Sequence, residues 1–219
     1  MSSLSEATPQ VPKPRIQGLS DLIFGLALSI GAVQLVTNLP TQTGALTNDI
    51  YTFGFSFLIL INVWNRYTAT TSVMPVETRL MVRLNMALLF LVAIEPFLFE
   101  VMIVNGFSQA VGVEASLYYG IDIGSMNLVL AYFSHLLAQE ERNLIPREMI
   151  GRYKATRDSL IFGAAIFFVS DFPLFGDVDL GGLPLRVILW ILVLPMLWIP
   201  RQFGKAPKDP THTLTARTM

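Results

Sequence analysis

The chain has 219 residues, of which 53% are hydrophobic and only 14% are charged. In an average soluble domain about a quarter of the residues are charged, so a soluble fold of this composition would lack polar surface. The net charge of −1 argues against a nucleic-acid partner, and the absence of Cys excludes disulfides, thiolate metal sites and cysteine nucleophiles. The composition predicts an integral membrane protein.

Six apolar segments follow a Ser- and Pro-rich amino-terminal stretch. Residues 1–14 predict a disordered arm, and the polar residues 201–219 predict a disordered cytoplasmic tail. Each segment is close to the ~20 residues that cross a ~30 Å hydrocarbon core as a helix, and none alternates like a barrel strand. Residues 15–200 are therefore predicted to form an all-α membrane domain with six transmembrane helices and no soluble domain. The segments are 18–39, 50–67, 82–104, 113–137, 158–175 and 183–200.

The basic residues collect on one side of this layout. With the amino terminus inside the cell, every Lys and Arg except Arg186 falls on the inner face of the membrane. Because positive charge stays on the cytoplasmic side, the pattern predicts a multi-pass protein of the cell membrane with both termini in the cytoplasm. The outer connectors carry acids instead, and such a mouth would attract cations. These acids are Asp49, Glu114, Asp177 and Asp179.

The first helix begins with polar residues. Ser20 and Asp21 lie at the inner edge of the predicted span, where a carboxylate needs a partner or a wet cavity. The inner end of the second helix brings Trp64, Asn65 and Arg66 to the same depth. An Asp21–Arg66 pair, or a hydrogen bond to Asp21 from Asn65 or Trp64, would join the two helices. The alternative is a carboxylate that only stabilises the positive end of its own helix.

Two stripes run along the first helix at helical spacing. Gly25 and Ser29 belong to a stripe of small residues, which lets another backbone approach closely. Beside it lie Leu26, Ile30 and Val33, and a ring of such side chains from several subunits would form a hydrophobic constriction that gates by dewetting. Spacing alone favours the simpler interpretation, in which these side chains face lipid or pack against other helices.

Acids within the later segments form a second group of candidates. Glu95 directly precedes Pro96, where a kink frees backbone carbonyls, so it is either a protonated structural residue or part of a cation path. Asp122 and Asp171 lie closer to the outer surface and are predicted to be solvated. The sequence has no nucleotide-binding glycine loop, zinc-ligand spacing or Ser–His constellation. No enzyme activity, catalytic residue, cofactor or fixed metal site is predicted.

The polar start of the first helix resembles the signature of a known family. Arg15, followed after three residues by Leu19, Ser20 and Asp21, is similar to the Arg-xxx-Phe-Ser-Asp motif of the transmembrane protein 175 family. This family comprises lysosomal and prokaryotic potassium-permeable channels. Leu19 replaces the family's Phe with little change in apolarity.

Further stretches extend the resemblance over residues 15–135. Residues 57–66 resemble the second helix of the family, residues 84–97 the third and residues 119–120 the fourth. Two departures mark the chain as similar to a divergent, prokaryotic-type member. Tyr67 stands where a His is expected, and Glu95 replaces an apolar residue before the Pro.

The resemblance implies a tetramer of six-helix subunits in which the first helix lines a central pore. It implies a narrowest ring at Leu26 and a hydroxyl at Ser29 that contributes to potassium preference through a transient ion site. Ile30 and Val33 would continue the pore-facing line. The motif from Arg15 to Asp21 would hold the first three helices together and help the subunits to assemble.

The leading hypothesis is a homotetrameric, potassium-permeable leak channel whose partners are potassium ions, the lipid bilayer and further copies of the chain. A second hypothesis is a proton-coupled small-solute transporter that uses Glu95 as its coupling acid. A third is a membrane scaffold without transport activity.

Overall fold

The computed structural model describes residues 15–37, 44–74, 78–107, 109–142, 144–181 and 183–198, and nearly all of them are helical. The predicted arm (1–14) and tail (201–219) lie outside the described residues. The helices are α1 (Arg15–Thr37), α2 (Ala45–Thr71), α3 (Arg79–Asn105), α4 (Ala110–Leu137), α5 (Arg147–Ser170), α6 (Pro173–Asp177) and α7 (Leu185–Trp198). The other elements are a 3₁₀ helix, Glu140–Arg142, and an antiparallel hairpin of β1 (Asp179–Leu180) and β2 (Leu183–Pro184).

Each predicted apolar segment lies largely within one helix, and the fifth differs most from its expected bounds. The prediction places it at 158–175, whereas α5 already begins at Arg147. Hydropathy does not detect these first turns because they are rich in charge. At the other end, α5 stops at Ser170, and Pro173 occupies the first turn of the short α6, a position that suits Pro. The hairpin is a small departure from the predicted all-helical fold.

A small separate core holds the early turns of α5. Ile150 and Tyr153 are buried in it together with Leu137 at the end of α4. The Tyr153 hydroxyl also donates to the Ala69 carbonyl of α2 at 3.0 Å. This part of the structure is the basic end of the bundle, formed by the carboxyl ends of α2 and α4 and the amino ends of α1, α3 and α5. The opposite end is the acidic end.

An exposed ion pair lies at the basic end. Lys154 Nζ is 2.8 Å from Glu140 Oε1, and the hydrogen bond from Lys154 lowers the pKa of the Glu140 carboxyl. Exposed pairs contribute little to stability, so the buried contacts of Tyr153 and its neighbours account for the position of α5.

Two helices among the described residues are long and apolar enough to cross a membrane. They are the stretches Leu46–Thr71 and Arg79–Asn105, whereas the apolar stretches Gly18–Val33 and Leu185–Pro195 are shorter. The helical architecture fits the predicted all-α membrane fold. The count of six spans stays a prediction.

Helix α4 lies at the centre of the bundle, in contact with α2, α3 and α5. The close approach of α5 to α4 depends on small residues of α4. A Cβ added at Gly124 of α4 would lie only 2.9 Å from the Phe168 ring of α5. A Cβ added at Gly120 would collide with the Asp171 carboxylate. Gly120 and Gly124 therefore form a small-xxx-small pair on α4 that sets the distance between the two helices.

Aromatic rings connect four helices through the core. Tyr119 of α4 contacts Phe99 of α3 and Trp190 of α7, with ring centroids 5.6 and 5.3 Å apart. Trp190 in turn stacks on Phe167 of α5 at 5.9 Å. All four side chains are buried, and such ring pairs stabilise a core beyond the area that they remove from solvent.

Candidate functional site

Ser20 connects the first three helices at the basic end. Its hydroxyl lies 2.7 Å from the Tyr67 hydroxyl of α2, and Asn85 of α3 donates to it from Nδ2 at 3.4 Å. All three side chains are buried, so loss of one partner would remove a buried hydrogen bond from the others. Tyr67 and Asn85 cannot be recognised as partners of Ser20 from the sequence, because spacing within one helix does not show which residues of other helices meet it.

Asp21 contacts α2 through Trp64. The indole Nε1 donates to Asp21 Oδ1 at 3.2 Å, which is one of the alternatives that the sequence left open. Arg66 is buried and donates from Nε to Asn62 Oδ1 at 3.3 Å. Asn65 is half-buried, and the side chain of Arg15 lies outside the described part of the chain. The polar motif of α1 is thus joined to α2 by two neighbouring residues.

The candidate gate residues lie on the exposed side of α1. Leu26, Ile30 and Val33 are 59%, 42% and 57% exposed, whereas Phe24 and Ala27 on the other side are almost completely buried. A Cβ added at Gly25 would meet no atom within 4 Å. Both stripes of α1, the apolar one and the small-residue one, therefore face away from the core of their own subunit.

Ser29 belongs to the same exposed surface. Its hydroxyl donates to the Gly25 carbonyl one turn earlier at 2.7 Å. Because the hydroxyl proton is committed to that bond, the remaining lone pairs of Oγ can only accept. An exposed hydroxyl in this state is a possible ligand for a cation.

Glu95 lies at the centre of a second polar group, inside the subunit. Its Oε1 accepts hydrogen bonds from Ser56 of α2 at 2.9 Å and from Tyr119 of α4 at 3.2 Å. Its side chain is 0% exposed. The two hydroxyl groups hold one carboxyl oxygen between three helices.

The prediction that Asp122 and Asp171 are solvated is wrong. Asp122 is 3% exposed, because it lies on the buried side of α4 with Tyr119 and Met126, which are both 0% exposed. The carboxyl oxygens of Asp171 are also shielded from solvent. Arg186, expected at the outer surface, is 2% exposed and donates from Nη1 to Ser116 Oγ at 2.7 Å.

Comparison with known families assigns the chain to a class. Residues 15–96 match the family described as the endosomal/lysosomal potassium channel TMEM175. The matched range covers α1, α2 and α3 as far as Pro96, which is less than half of the chain. No curated protein and no solved structure was found to match.

The match agrees with the resemblance that the motif residues predict, and it supports membership of the chain in the TMEM175 potassium channel family. Its family and its apolar helices together indicate a membrane protein. Ion channels are not an enzyme class, so the family agrees with the prediction of a non-enzymatic protein.

Proposed function

We propose that the chain is a potassium-permeable leak channel of the cell membrane, with six membrane-spanning helices and both termini in the cytoplasm. Four copies surround a central pore lined by α1. The observation that carries the proposal is the exposed apolar stripe of α1, formed by Leu26, Ile30 and Val33. In a bundle, a helix normally turns such a stripe toward its own core.

Lipid could also cover an apolar stripe, but two neighbouring features favour a pore. Gly25 and Ser29 leave room for close approach by another copy of the chain. Ser29 also presents an acceptor oxygen next to the apolar stripe, where lipid has no partner for it. A closed ring of subunits turns both features toward the same axis.

Leu26 forms the narrowest ring in this proposal. Four Leu side chains at one level make an apolar constriction that water leaves readily, and ion passage then depends on rewetting. Ser29, one turn further along, supplies a ring of oxygen acceptors for a partly dehydrated potassium ion. Ile30 and Val33 continue the apolar lining.

The polar contacts at the basic end orient α1. Ser20 and Asp21 attach it to α2 and α3, so the helix cannot rotate without breaking these hydrogen bonds, of which those of Ser20 are buried. Trp64 and Tyr67 form the α2 side of this attachment. In the proposed tetramer the attachment keeps the pore-lining stripe aimed at the axis.

Potassium flux into liposomes tests the pore. Leu26→Ala should increase the flux several-fold, because a smaller ring rewets more easily. The matched control is Leu192→Ala on α7, where an equally exposed Leu (61% against 59%) lies far along the chain from the proposed pore helix. Equal effects of the two substitutions, or no flux from the unaltered protein, would overturn the proposal.

The same assay separates the alternatives. A proton-coupled transporter would show saturable transport that Glu95→Gln abolishes and Leu26→Ala leaves unchanged. The channel hypothesis expects the opposite pattern. A scaffold without transport activity would give no flux in any variant, while still forming a stable assembly.

A further inference from the structure

The buried polar group around Glu95 is a feature that the proposed pore does not use. Ser56, Glu95 and Asp122 lie on α2, α3 and α4, each about 15–18 Å from the helix terminus at the acidic end at a rise of 1.5 Å per residue. They therefore share one level near the middle of the bundle. Tyr119, one turn before Asp122, completes the group.

The two acids lack compensating charge. Glu95 Oε2 and both carboxyl oxygens of Asp122 are buried and have no hydrogen-bond partner among the residues that the structure describes. Within the same residues neither acid forms an ion pair. If both were ionised, Glu95 and Asp122 would repel each other.

The charged side chains on neighbouring elements do not neutralise them. Arg186 of α7 donates to Ser116 and interacts electrostatically with Asp171 and Asp177. Two buried carboxylates without a counter-charge are very unfavourable, so each acid must hold a proton or contact a cation.

A cleft leads toward this group from the acidic end. It has a volume of about 170 Å³ and lies between α1, α2 and α3. Asp49, Thr52 and Glu100 contribute polar groups to its lining, and Ser56 is its deepest residue on α2. Since Ser56 lines the cleft and also donates to Glu95, a single side chain lies between the cleft and the Glu95 carboxyl group.

We propose that Glu95 and Asp122 form an internal cation-exchange site, separate from the pore, that takes a monovalent alkali cation in place of a proton. When the cation enters from the cleft, the O–H bond of one carboxyl group breaks and its proton leaves to water. The carboxylate that forms then balances the charge of the cation, so the total charge of the site does not change.

The donor set favours a monovalent ion over a divalent one. Ca²⁺ takes six to eight oxygen ligands, usually including several carboxylates. The described residues contain no group of three or more His, Cys, Asp or Glu that could hold a metal ion. Two carboxyl groups with neighbouring hydroxyl groups suit an ion of single charge.

Proton release on addition of potassium tests the site. Purified protein in detergent, in weakly buffered choline chloride near neutral pH, should release about one proton per subunit into a pH-sensitive dye solution when KCl is added, because cation binding requires deprotonated ligands. Glu95→Gln and Asp122→Asn keep the size of each side chain and should abolish the release. Glu114→Gln removes an exposed acid of α4 and should leave it unchanged.

The outcomes distinguish this proposal from the proposed pore. Absence of release from the unaltered protein, or equal release from Glu95→Gln checked for folding by size-exclusion chromatography, would overturn the exchange site. Release by CaCl₂ and not by KCl would overturn its monovalent character. Leu26→Ala should alter potassium flux without altering the release, so either proposal can fail while the other stands.

Discussion

Helices α1 and α4 distribute polar and apolar side chains in opposite ways. α1 turns Leu26 and Val33 outward, whereas α4 keeps Asp122, Asn127 and Ser134 in the interior. In a membrane, apolar side chains that point outward cost little free energy, so an exposed apolar stripe can contact lipid or a neighbouring subunit, or line a pore. Inward polar groups remain expensive and need a partner. Polarity inside α4 therefore carries as much functional information as the exposed surface of α1.

The largest expected effect comes from filling the close contact of α4. Gly124→Leu would force a side chain into the Phe168 ring and should destabilise the subunit by about 3 kcal/mol or more. The matched change is Gly151→Leu at an exposed position of α5, where an added Cβ meets no atom within 4 Å. Thermal unfolding in detergent should show a large fall in midpoint for the first and little change for the second. Similar midpoints would contradict the difference in packing.

An intermediate effect is expected where α1 is attached to its neighbours. Ser20→Ala removes the hydroxyl between Tyr67 and Asn85 and should cost about 1–3 kcal/mol, because two buried polar groups lose a partner. Ser29→Ala on the exposed side loses only a bond within its own helix and should change stability by no more than about 0.5 kcal/mol. Chemical unfolding of both variants measures the difference. Equal losses would show that Ser20 does not connect the helices.

The smallest effect is expected inside the bundle at Tyr119. Tyr119→Phe keeps the ring contacts with Phe99 and Trp190 and removes only the hydrogen bond to Glu95, a loss of about 1 kcal/mol. Tyr118→Phe, at the adjacent exposed position, should have no measurable effect on the unfolding midpoint. A stability gain in Tyr119→Phe would show that the hydroxyl is not needed to satisfy Glu95.

Much of the fold could be predicted from the sequence because long apolar runs leave few alternatives to helices. The family could be predicted from the local spacing of Arg15, Ser20 and Asp21, which the family match supports. Both inferences depend on residues close together in the chain, and such patterns can be found without knowledge of the packing.

The interior could not be predicted in the same way. Asp122 is buried because of its rotational position on a central helix, and depth along the chain does not contain that information. Arg186 donates a hydrogen bond to Ser116, which lies 70 residues earlier in the chain, so local spacing does not predict the contact. A hydropathy pattern does not predict the early turns of α5, because charged residues surround their buried residues, Ile150 and Tyr153.

The contacts of α7 have a consequence for how the protein is made. Arg186 and Trp190 bond to Ser116 of α4 and Ser170 of α5, so both polar side chains depend on helices that leave the ribosome earlier. A nascent α7 that enters the bilayer alone would carry an unsatisfied guanidinium, which is costly in hydrocarbon. In the proposed six-span topology, these hydrogen bonds of α7 can form only after α4 and α5 are in place.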